Sequence, residues 1–272
     1  QCFLATRPPL TSLAATFPTV RSAVGRRFFF VQLNRLENLG CVDFLAFTTS
    51  SIVHGAEDDA VMLGLQSLPS MIETLRARYP GVAIHVGPST IAAPVSPLGL
   101  SADSDGVSRV ALAKVDPRST ALFGAAWLLG YIAQLACSRV QAVTVSRLTG
   151  ENGLLSTDPR GAVTKHPPFF VLQRLTRTSN AFVTSVSDPS RVAALLVEGG
   201  EGRELILANL TGGDLDLALA GWPLPSDVTV LDERSCGLFA TTPDPWRRLA
   251  RRMHAKNIRL SPYAVASLVV VT

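Results

Sequence analysis

The chain has 272 residues, of which 47% are hydrophobic, so it can bury the core of one large domain or of a medium domain with a smaller companion. Its net charge of +4 is compatible with nucleic-acid binding, but its arginine clusters lack the interleaved aromatic residues of a nucleic-acid-binding module. No apolar run reaches the roughly 18 residues of a membrane span, and the cysteines show no metal-binding or Cys-x-x-Cys spacing. We therefore expect a cytoplasmic protein that binds neither nucleic acid nor a membrane.

The first part of the chain alternates strand-like and helix-like segments. Short runs rich in β-branched and aromatic residues predict four strands, over residues 26–33, 42–48, 82–87 and 140–146. Strands that alternate with helices imply a parallel sheet built from right-handed βαβ units. Four such units make half of an eight-stranded barrel, so we predict the C-terminal half of a TIM (β/α)8 barrel over residues 1–179.

Three helices separate or follow these strands. Asp58-Asp59 caps a helix whose apolar residues recur at helical spacing, and Pro69 is expected to kink or restart it. Asp116-Pro117 opens a second helix that ends near Cys137, and a third helix covers residues 168–178. Each helix therefore returns the chain to the start of the next parallel strand.

After residue 180 the pattern changes to short strands separated by turns that contain glycine or proline. These predicted strands cover residues 181–186, 192–197, 204–209, 215–219, 228–231 and 263–271. Such spacing is typical of an antiparallel β-sandwich, which we place at residues 180–272 as a C-terminal domain. Within it, Asn209-Leu210-Thr211 has the spacing of a glycosylation site, which matters only if the chain is secreted.

Polar side chains follow the predicted parallel strands at the point where each strand ends. They are Gln32, Asn34, Thr48, Thr49, Ser50, His54, Ser89, Thr90, Ser146, Arg147 and Thr149. In α/β barrels the residues that carry chemistry follow the carboxyl ends of the strands, so these side chains should face one mouth. Hydroxyl, amide and guanidinium groups together suit a small polyhydroxylated ligand.

His54 is the strongest candidate for proton transfer, because an imidazole has an ordinary pKa near neutrality. A histidine that fixes the loop by hydrogen bonds is the alternative. Glu57 and Asp58 are candidate catalytic carboxylates, although acidic residues before a helix are also favoured by capping and by the helix dipole. His85 lies inside a predicted strand and is interpreted as a core or barrel-interior side chain.

Five stretches of the chain resemble the D-apionate lactonase family, whose members pair a glycosidase-like TIM barrel with a C-terminal β-sandwich. They are residues 30–35, 42–54 with Asp58-Asp59, 86–91, 122–127 and 208–212. The resemblance implies hydrolysis of a branched-sugar lactone to its aldonic acid, with no metal or other cofactor. Our candidate catalytic residues are His54, Glu57 and Asp58, and our candidate substrate contacts are Gln32, Asn34, Thr49, Ser89 and Arg147.

The chain departs from the family pattern at two of these positions. Gln32 stands where members of the family commonly have Glu, and many have Glu at the position of Arg147. A glycosidase-like site relies on two carboxylates, and glutamine cannot exchange a proton at working pH. Two hypotheses follow: a sugar-lactone hydrolase that uses other residues, or a catalytically weakened barrel that binds carbohydrate without turnover. Because four units cannot close a barrel, we also expect a missing N-terminal half-barrel as a partner.

Overall fold

The computed structural model describes residues 2–3, 22–24, 29–36, 42–94, 96, 99, 101–200 and 202–270. Five parallel strands form the first sheet, in the order β1-β2-β3-β4-β5. Their bounds are β1 Cys2–Phe3, β2 Ser22–Val24, β3 Phe44–Phe47, β4 Ala83–Ser89 and β5 Ala142–Val145. The order follows the sequence, as successive βαβ units require.

Helices cover one face of this sheet. They are α1 Phe30–Asn34, α2 Asp58–Leu63, α3 Leu68–Arg78, α4 Leu122–Cys137 and α5 Pro167–Leu175. A 3-10 turn at Gly64–Ser67 separates α2 from α3, which restarts with Pro69 in its first turn, as predicted. Proline is tolerated there because the first amides of a helix lack intrahelical acceptors.

The predicted strand over residues 26–33 is wrong at its C-terminal end. Residues 26–28 lie outside the described part, Phe29 forms an isolated parallel bridge with Thr48, and Phe30–Asn34 is helical. The Gln32 side-chain oxygen accepts the Phe29 backbone N–H at 2.8 Å, which satisfies one of the free amides at the start of the helix. The last four residues of the predicted strand, 30–33, are therefore helical.

Helix α4 is buried around most of its circumference, because it lies between the parallel sheet and the C-terminal domain. Its apolar side chains share one core with Leu45 and Phe47 of β3 on one side, and with Leu195 and Ile206 of the C-terminal sheet on the other. A helix that is hydrophobic on every side requires such enclosure. Among the described residues, no helix is long and apolar enough to cross a membrane.

The C-terminal domain consists of a six-stranded antiparallel sheet and a two-stranded sheet. The first has the order β13-β12-β15-β10-β9-β8, with bounds β8 Thr178–Val183, β9 Val192–Gly199, β10 Gly202–Asn209, β12 Asp227–Leu231, β13 Arg251–Arg252 and β15 Val265–Val270. The second pairs β11 Leu215–Ala218 with β14 Asn257–Leu260. Leu205, Leu207 and Leu268 of the larger sheet belong to one core with Leu260 of β14.

Several small elements of the structure were not predicted. They are β1, β2, β13 and β14, together with β6 Leu155–Thr157, β7 Val163–Lys165, α6 Cys236–Thr241 and α7 Pro245–Arg248. The Asn-Leu-Thr sequence at Asn209, by contrast, was noted from its spacing, and the structure shows what the Asn209 side chain does. The Asn209 side-chain amide is fully buried and donates to the carbonyl oxygens of Gly213, Leu260 and Ser261, so in the folded chain it is not available for modification.

A buried ion pair joins the two domains. Arg174 of α5 bonds both carboxylate oxygens of Glu204 in β10, and the Ser267 hydroxyl donates to the same carboxylate at 2.7 Å. Nearby, the Trp246 indole N–H donates to the Phe170 carbonyl at 2.9 Å. The helical layer and the C-terminal sheet are therefore held together by polar contacts as well as by the shared core.

Candidate functional site

The carboxyl ends of β3 and β4 are tied together by hydrogen bonds. The Thr49 backbone N–H donates to the Ser89 hydroxyl at 3.2 Å, and the Thr48 hydroxyl donates to the Pro88 carbonyl. One residue further along, Ser50 forms a parallel bridge with Thr90. The two strand ends therefore lie side by side at one edge of the sheet.

The neighbouring elements reach the same edge. Ser146, just beyond β5, donates its backbone N–H to the Ser89 carbonyl at 2.9 Å. On the other side, the bridge between Phe29 and Thr48 brings the start of α1, which carries Gln32 and Asn34, beside the end of β3. The segments that carry the predicted residues from Gln32 to Arg147 thus follow one another along a single edge of the sheet.

Two of the predicted substrate-binding side chains point into the helical layer. The Thr49 hydroxyl lies 2.8 Å from the Tyr131 hydroxyl of α4, and Ser89 is fully buried beside it. Burial raises the pKa of Tyr131 to about 12, although hydrogen bonds from Ser89 and Thr49 lower it in part. Next to this group, the Trp127 indole N–H donates to the Ser51 hydroxyl at 2.9 Å. Through these contacts, Thr49 and Ser89 stabilise the ends of β3 and β4.

The opposite face of the sheet carries different side chains. Along β3, Leu45 and Phe47 pack with α4, whereas Phe44 and Ala46 belong to a separate cluster. The His85 ring of β4 stacks on Phe44, with ring centroids 4.1 Å apart. Because side chains alternate across a strand, this is the face that points away from the helices, in agreement with the barrel-interior interpretation of His85.

The loop after β3 presents His54 to solvent. His54 and Glu57 are both exposed, and the Glu57 side chain folds back over the Gly55 backbone: a Cβ atom at Gly55 would lie 2.7 Å from Glu57 Oε2. The imidazole and this carboxylate therefore occupy the same turn. Arg147, at the end of β5, is also exposed, and its carbonyl accepts the Leu154 N–H at 2.8 Å.

Asp58 has contacts that account for its position without a catalytic role. Its two carboxylate oxygens bind Arg118 at 2.8 Å and Arg109 at 3.1 Å, and the Tyr263 hydroxyl of the C-terminal domain lies 3.5 Å away. Burial, and then the charges of Asp58 and Asp59, raise the pKa of Tyr263. Both carboxylate oxygens of Asp58 are therefore engaged by arginine side chains.

The side chains that surround Asp58 were not predicted from the sequence. Arg118 is buried and forms a two-point ion pair with Asp116, which is buried as well. Burial alone would lower the pKa of Arg118, but hydrogen bonds to Asp116 and Asp58 outweigh it and raise that pKa. The only local signal is the Asp116-Pro117-Arg118 sequence, because Asp58 lies 60 residues away in the chain.

The exposed side chains at this edge are the His54 imidazole, the Glu57 carboxylate and the Arg147 guanidinium, whereas the Gln32 and Asn34 amides are partly buried. The guanidinium, the amides and the imidazole can donate hydrogen bonds to hydroxyl and carbonyl oxygens, and the imidazole can transfer a proton. Within the residues that the structure describes, no three His, Cys, Asp or Glu side chains are grouped so that they could hold a metal ion.

Solved structures of carbohydrate-active enzymes share this fold. AbfB, a family 51 α-L-arabinofuranosidase from Bifidobacterium longum, superposes with a TM-score of 0.60 at 13% identity, over 95% of this chain and 60% of that one. An α-L-arabinofuranosidase from Thermotoga maritima gives a TM-score of 0.57 at 12% identity, over 96% and 60% of the two chains. The architecture is therefore that of a glycosidase-like TIM barrel followed by a C-terminal immunoglobulin-like sheet domain.

Sequence comparison identifies one family within this fold. The sequence model described as D-apionate lactonase, TIM barrel domain, matches residues 8–180, and the model of the C-terminal immunoglobulin-like domain matches residues 189–268. A D-apionate lactonase from Brucella anthropi is 31% identical over 225 residues, which are 79% of this chain and 36% of that protein. The chain belongs to the D-apionate lactonase family, and it spans about a third of the length of this relative.

Proposed function

We propose that the protein hydrolyses a sugar lactone, of the D-apionolactone type, at the edge formed by the carboxyl ends of β3, β4 and β5. The observation that carries the proposal is the membership of the D-apionate lactonase family over both domains. The geometry supports it, because α1, the loop after β3 and the end of β5 meet at one edge, where His54 and Arg147 are exposed. Small polyhydroxylated ligands need such donors.

In this proposal His54 is the proton carrier. It takes a proton from a water molecule that attacks the lactone carbonyl, and it returns that proton to the ring oxygen as the carbon–oxygen bond of the ring breaks. The products are balanced: one water is consumed and one open-chain aldonic acid is formed. Glu57, whose carboxylate folds over the Gly55 backbone, lies in the same loop as His54.

The remaining predicted residues act on the substrate. Arg147 is exposed and permanently charged, so it is suited to stabilise the oxyanion that develops at the lactone carbonyl. Gln32 and Asn34 bind substrate hydroxyls through their amides. Thr49 and Ser89 contribute indirectly, since their hydroxyls bond to Tyr131 and to the Thr49 backbone. Asp58 is left outside the chemistry because it pairs with two arginines.

A second candidate is a barrel that binds carbohydrate without turnover. It is favoured by Gln32, which occupies a position where the family commonly has Glu and whose side-chain oxygen accepts the Phe29 N–H. That contact fixes an amide where a carboxylic acid would be able to exchange a proton. In this case the donors of the edge would still bind a sugar.

We further propose that a second half-barrel completes the site. The described parallel sheet has five strands, whereas a TIM barrel has eight. The relative from Brucella anthropi is nearly three times as long as the matched region. Additional strands would cover the sheet face that carries Phe44 and His85 and would extend the mouth around the substrate.

Lactone turnover by the full-length protein tests the proposal. Aldonolactone hydrolysis is measured for the wild type, for His54→Ala, and for the control His254→Ala, which removes an exposed histidine of the C-terminal domain. We expect His54→Ala to lower kcat by at least about 100-fold and the control to leave it unchanged, as general acid–base catalysis predicts. Sugar binding without turnover in the wild type, with activity gained in Gln32→Glu, would instead support the second candidate.

A further inference from the structure

Arg118 occupies the centre of a buried polar network. Its guanidinium donates to Asp116 through Nε at 3.0 Å and through a terminal nitrogen at 2.7 Å, and to Asp58 at 2.8 Å. Relative exposure is only 5% for Arg118 and 2% for Asp116. A buried charge of this kind is stable only when most of its donors are used, so the geometry of the two carboxylates is closely constrained.

The network continues to the loop after β5. The Asp116 backbone N–H donates to the Asn152 side-chain oxygen at 3.0 Å, and the Asn152 side-chain amide donates to the Lys114 carbonyl at 2.8 Å. The Asn152 carbonyl accepts the Ser146 hydroxyl at 2.7 Å. Ser146 in turn donates its N–H to Ser89 at the end of β4. The chain of contacts therefore links the loops that follow all three strands.

The fold holds the Arg118 backbone rigidly. It lies in the 3-10 turn Pro117–Thr120, whose first amide is capped by Asp116 at 2.9 Å. The start of α4 packs tightly against this turn, since a Cβ atom at Gly124 would lie 2.6 Å from the Arg118 carbonyl. The Phe123 ring lies under the guanidinium, 4.9 Å from its central carbon. The guanidinium therefore has a constrained position, and the loops bind to it through Asp116 and Asp58.

We propose that Arg118 is a positioning residue, which holds the loops after β3, β4 and β5 in the arrangement that the lactonase site requires. The expected effect of Arg118 on turnover rests on the proposed function, whereas its effect on the order of the loops does not. Through Asp58, Arg118 anchors the loop that carries His54; through Asp116 and Asn152, it anchors the loop that carries Arg147. Displacing a reacting group by about 1 Å can reduce the rate on the order of 100-fold.

Two substitutions at Arg118 separate positioning from general stability. Arg118→Gln removes the charge and most donors, whereas Arg118→Lys keeps the charge but loses the two-point geometry. We expect kcat to fall about 10- to 100-fold in Arg118→Gln and less in Arg118→Lys, with KM within about threefold in both, as displaced reacting groups predict. Arg259→Gln is the matched control, because Arg259 forms exposed ion pairs with Asp214 and Asp216 in the C-terminal domain.

Amide hydrogen exchange supplies a readout that does not depend on turnover. In Arg118→Gln the amides of residues 52–58 and 146–153 should exchange faster, while those of β9 and β10 keep their protection. Should Arg118→Gln fail to fold, Asp58→Asn weakens the link to the first loop but leaves the Arg118–Asp116 pair in place, so exchange should rise at residues 52–58 and not at residues 146–153. Unchanged exchange in both loops, or unchanged kcat in a folded Arg118→Gln, would overturn the proposal. A wild type without turnover but with the expected exchange pattern would refute the lactonase function alone.

Discussion

Thr48 and Thr49 directly follow β3, and Asp58 begins α2, yet each of these polar residues meets a different environment. Thr49 turns toward α4 and bonds to Tyr131, and Asp58 pairs with two arginines. Thr48 donates to the Pro88 carbonyl on the neighbouring strand. The alternation of side chains along a strand decides which of these groups can face a ligand. Polar residues that lie in the same region of the sequence therefore have different hydrogen-bond and ion-pair partners.

The burial of Tyr131 predicts how the stability of the protein changes at alkaline pH. An unfolded tyrosine ionises near pH 10, whereas burial raises the pKa of Tyr131 to about 12. Between these values the unfolded state loses a proton that the folded state keeps, so stability falls as pH rises through this window, by up to about 2–3 kcal/mol. Urea unfolding at several pH values between 9 and 12 should show a weaker decline in Tyr131→Phe. Identical slopes in the two proteins would contradict this.

Strands β4 and β5 approach each other closely at one point. Gly87 has a φ of +131°, and a Cβ atom there would lie 2.2 Å from the Thr144 carbonyl oxygen. Only glycine allows both the backbone conformation and the contact. This close approach precedes the register shift in the β4–β5 pairing, after which Ser89 pairs with Val145. The glycine therefore helps to set where the two strand ends meet at the edge.

Gly87→Ala should destabilise the protein by at least about 2 kcal/mol, because it adds a clash to an unfavourable backbone conformation. Gly64→Ala is the control, since its φ is −55° and no atom lies within 4 Å of the added Cβ. Denaturant midpoints measure both. Equal midpoints for the two variants would show that β4 and β5 can separate locally at little cost.

At the scale of the whole molecule, one core spans both domains. It contains Leu45 and Phe47 of the parallel sheet, most of α4, and Leu195 and Ile206 of the C-terminal sheet. Two domains that share a core and a buried ion pair are expected to unfold together. The C-terminal domain also reaches the site region directly, through the contact between Tyr263 and Asp58.

Glu204→Gln tests this coupling. Removing one partner of a buried ion pair leaves Arg174 uncompensated, so we expect a loss of about 3–5 kcal/mol in a single unfolding transition. Glu198→Gln, in the adjacent strand, removes a carboxylate that pairs with the exposed Arg203 and should cost less than about 1 kcal/mol. Calorimetry would contradict the account if the domains melted separately or if the two variants were equally stable.

Local patterns predicted the main elements of the fold. The strands β3, β4 and β5 are short apolar runs, and the restart of the helix near Pro69 follows from the chemistry of proline. Helix α1 was missed because a side-chain contact, from Gln32 to Phe29, decides its conformation. The strand β14 was missed because its Asn-Ile-Arg-Leu sequence is short and half polar.

The site was predicted less completely than the fold. The strand-end rule placed the candidate residues on segments that share one edge of the sheet, since it depends only on the direction of parallel strands. It did not distinguish Thr49, which faces α4, from side chains that face solvent. Nor did it identify Arg118, because the contact with Asp58 joins residues that are 60 positions apart. Such pairings depend on the packing of loops, which short-range sequence patterns do not encode.

The most direct test of the account is to locate a bound ligand at the edge of the parallel sheet. A five-membered sugar lactam, which imitates the lactone but resists hydrolysis, is titrated into the isotope-labelled full-length protein while backbone amide shifts are recorded. The account predicts saturable shifts at residues 32–34, 48–54, 89–90 and 146–149, and none in β9 or β10. Shifts confined to the C-terminal domain, or no saturable binding, would contradict it.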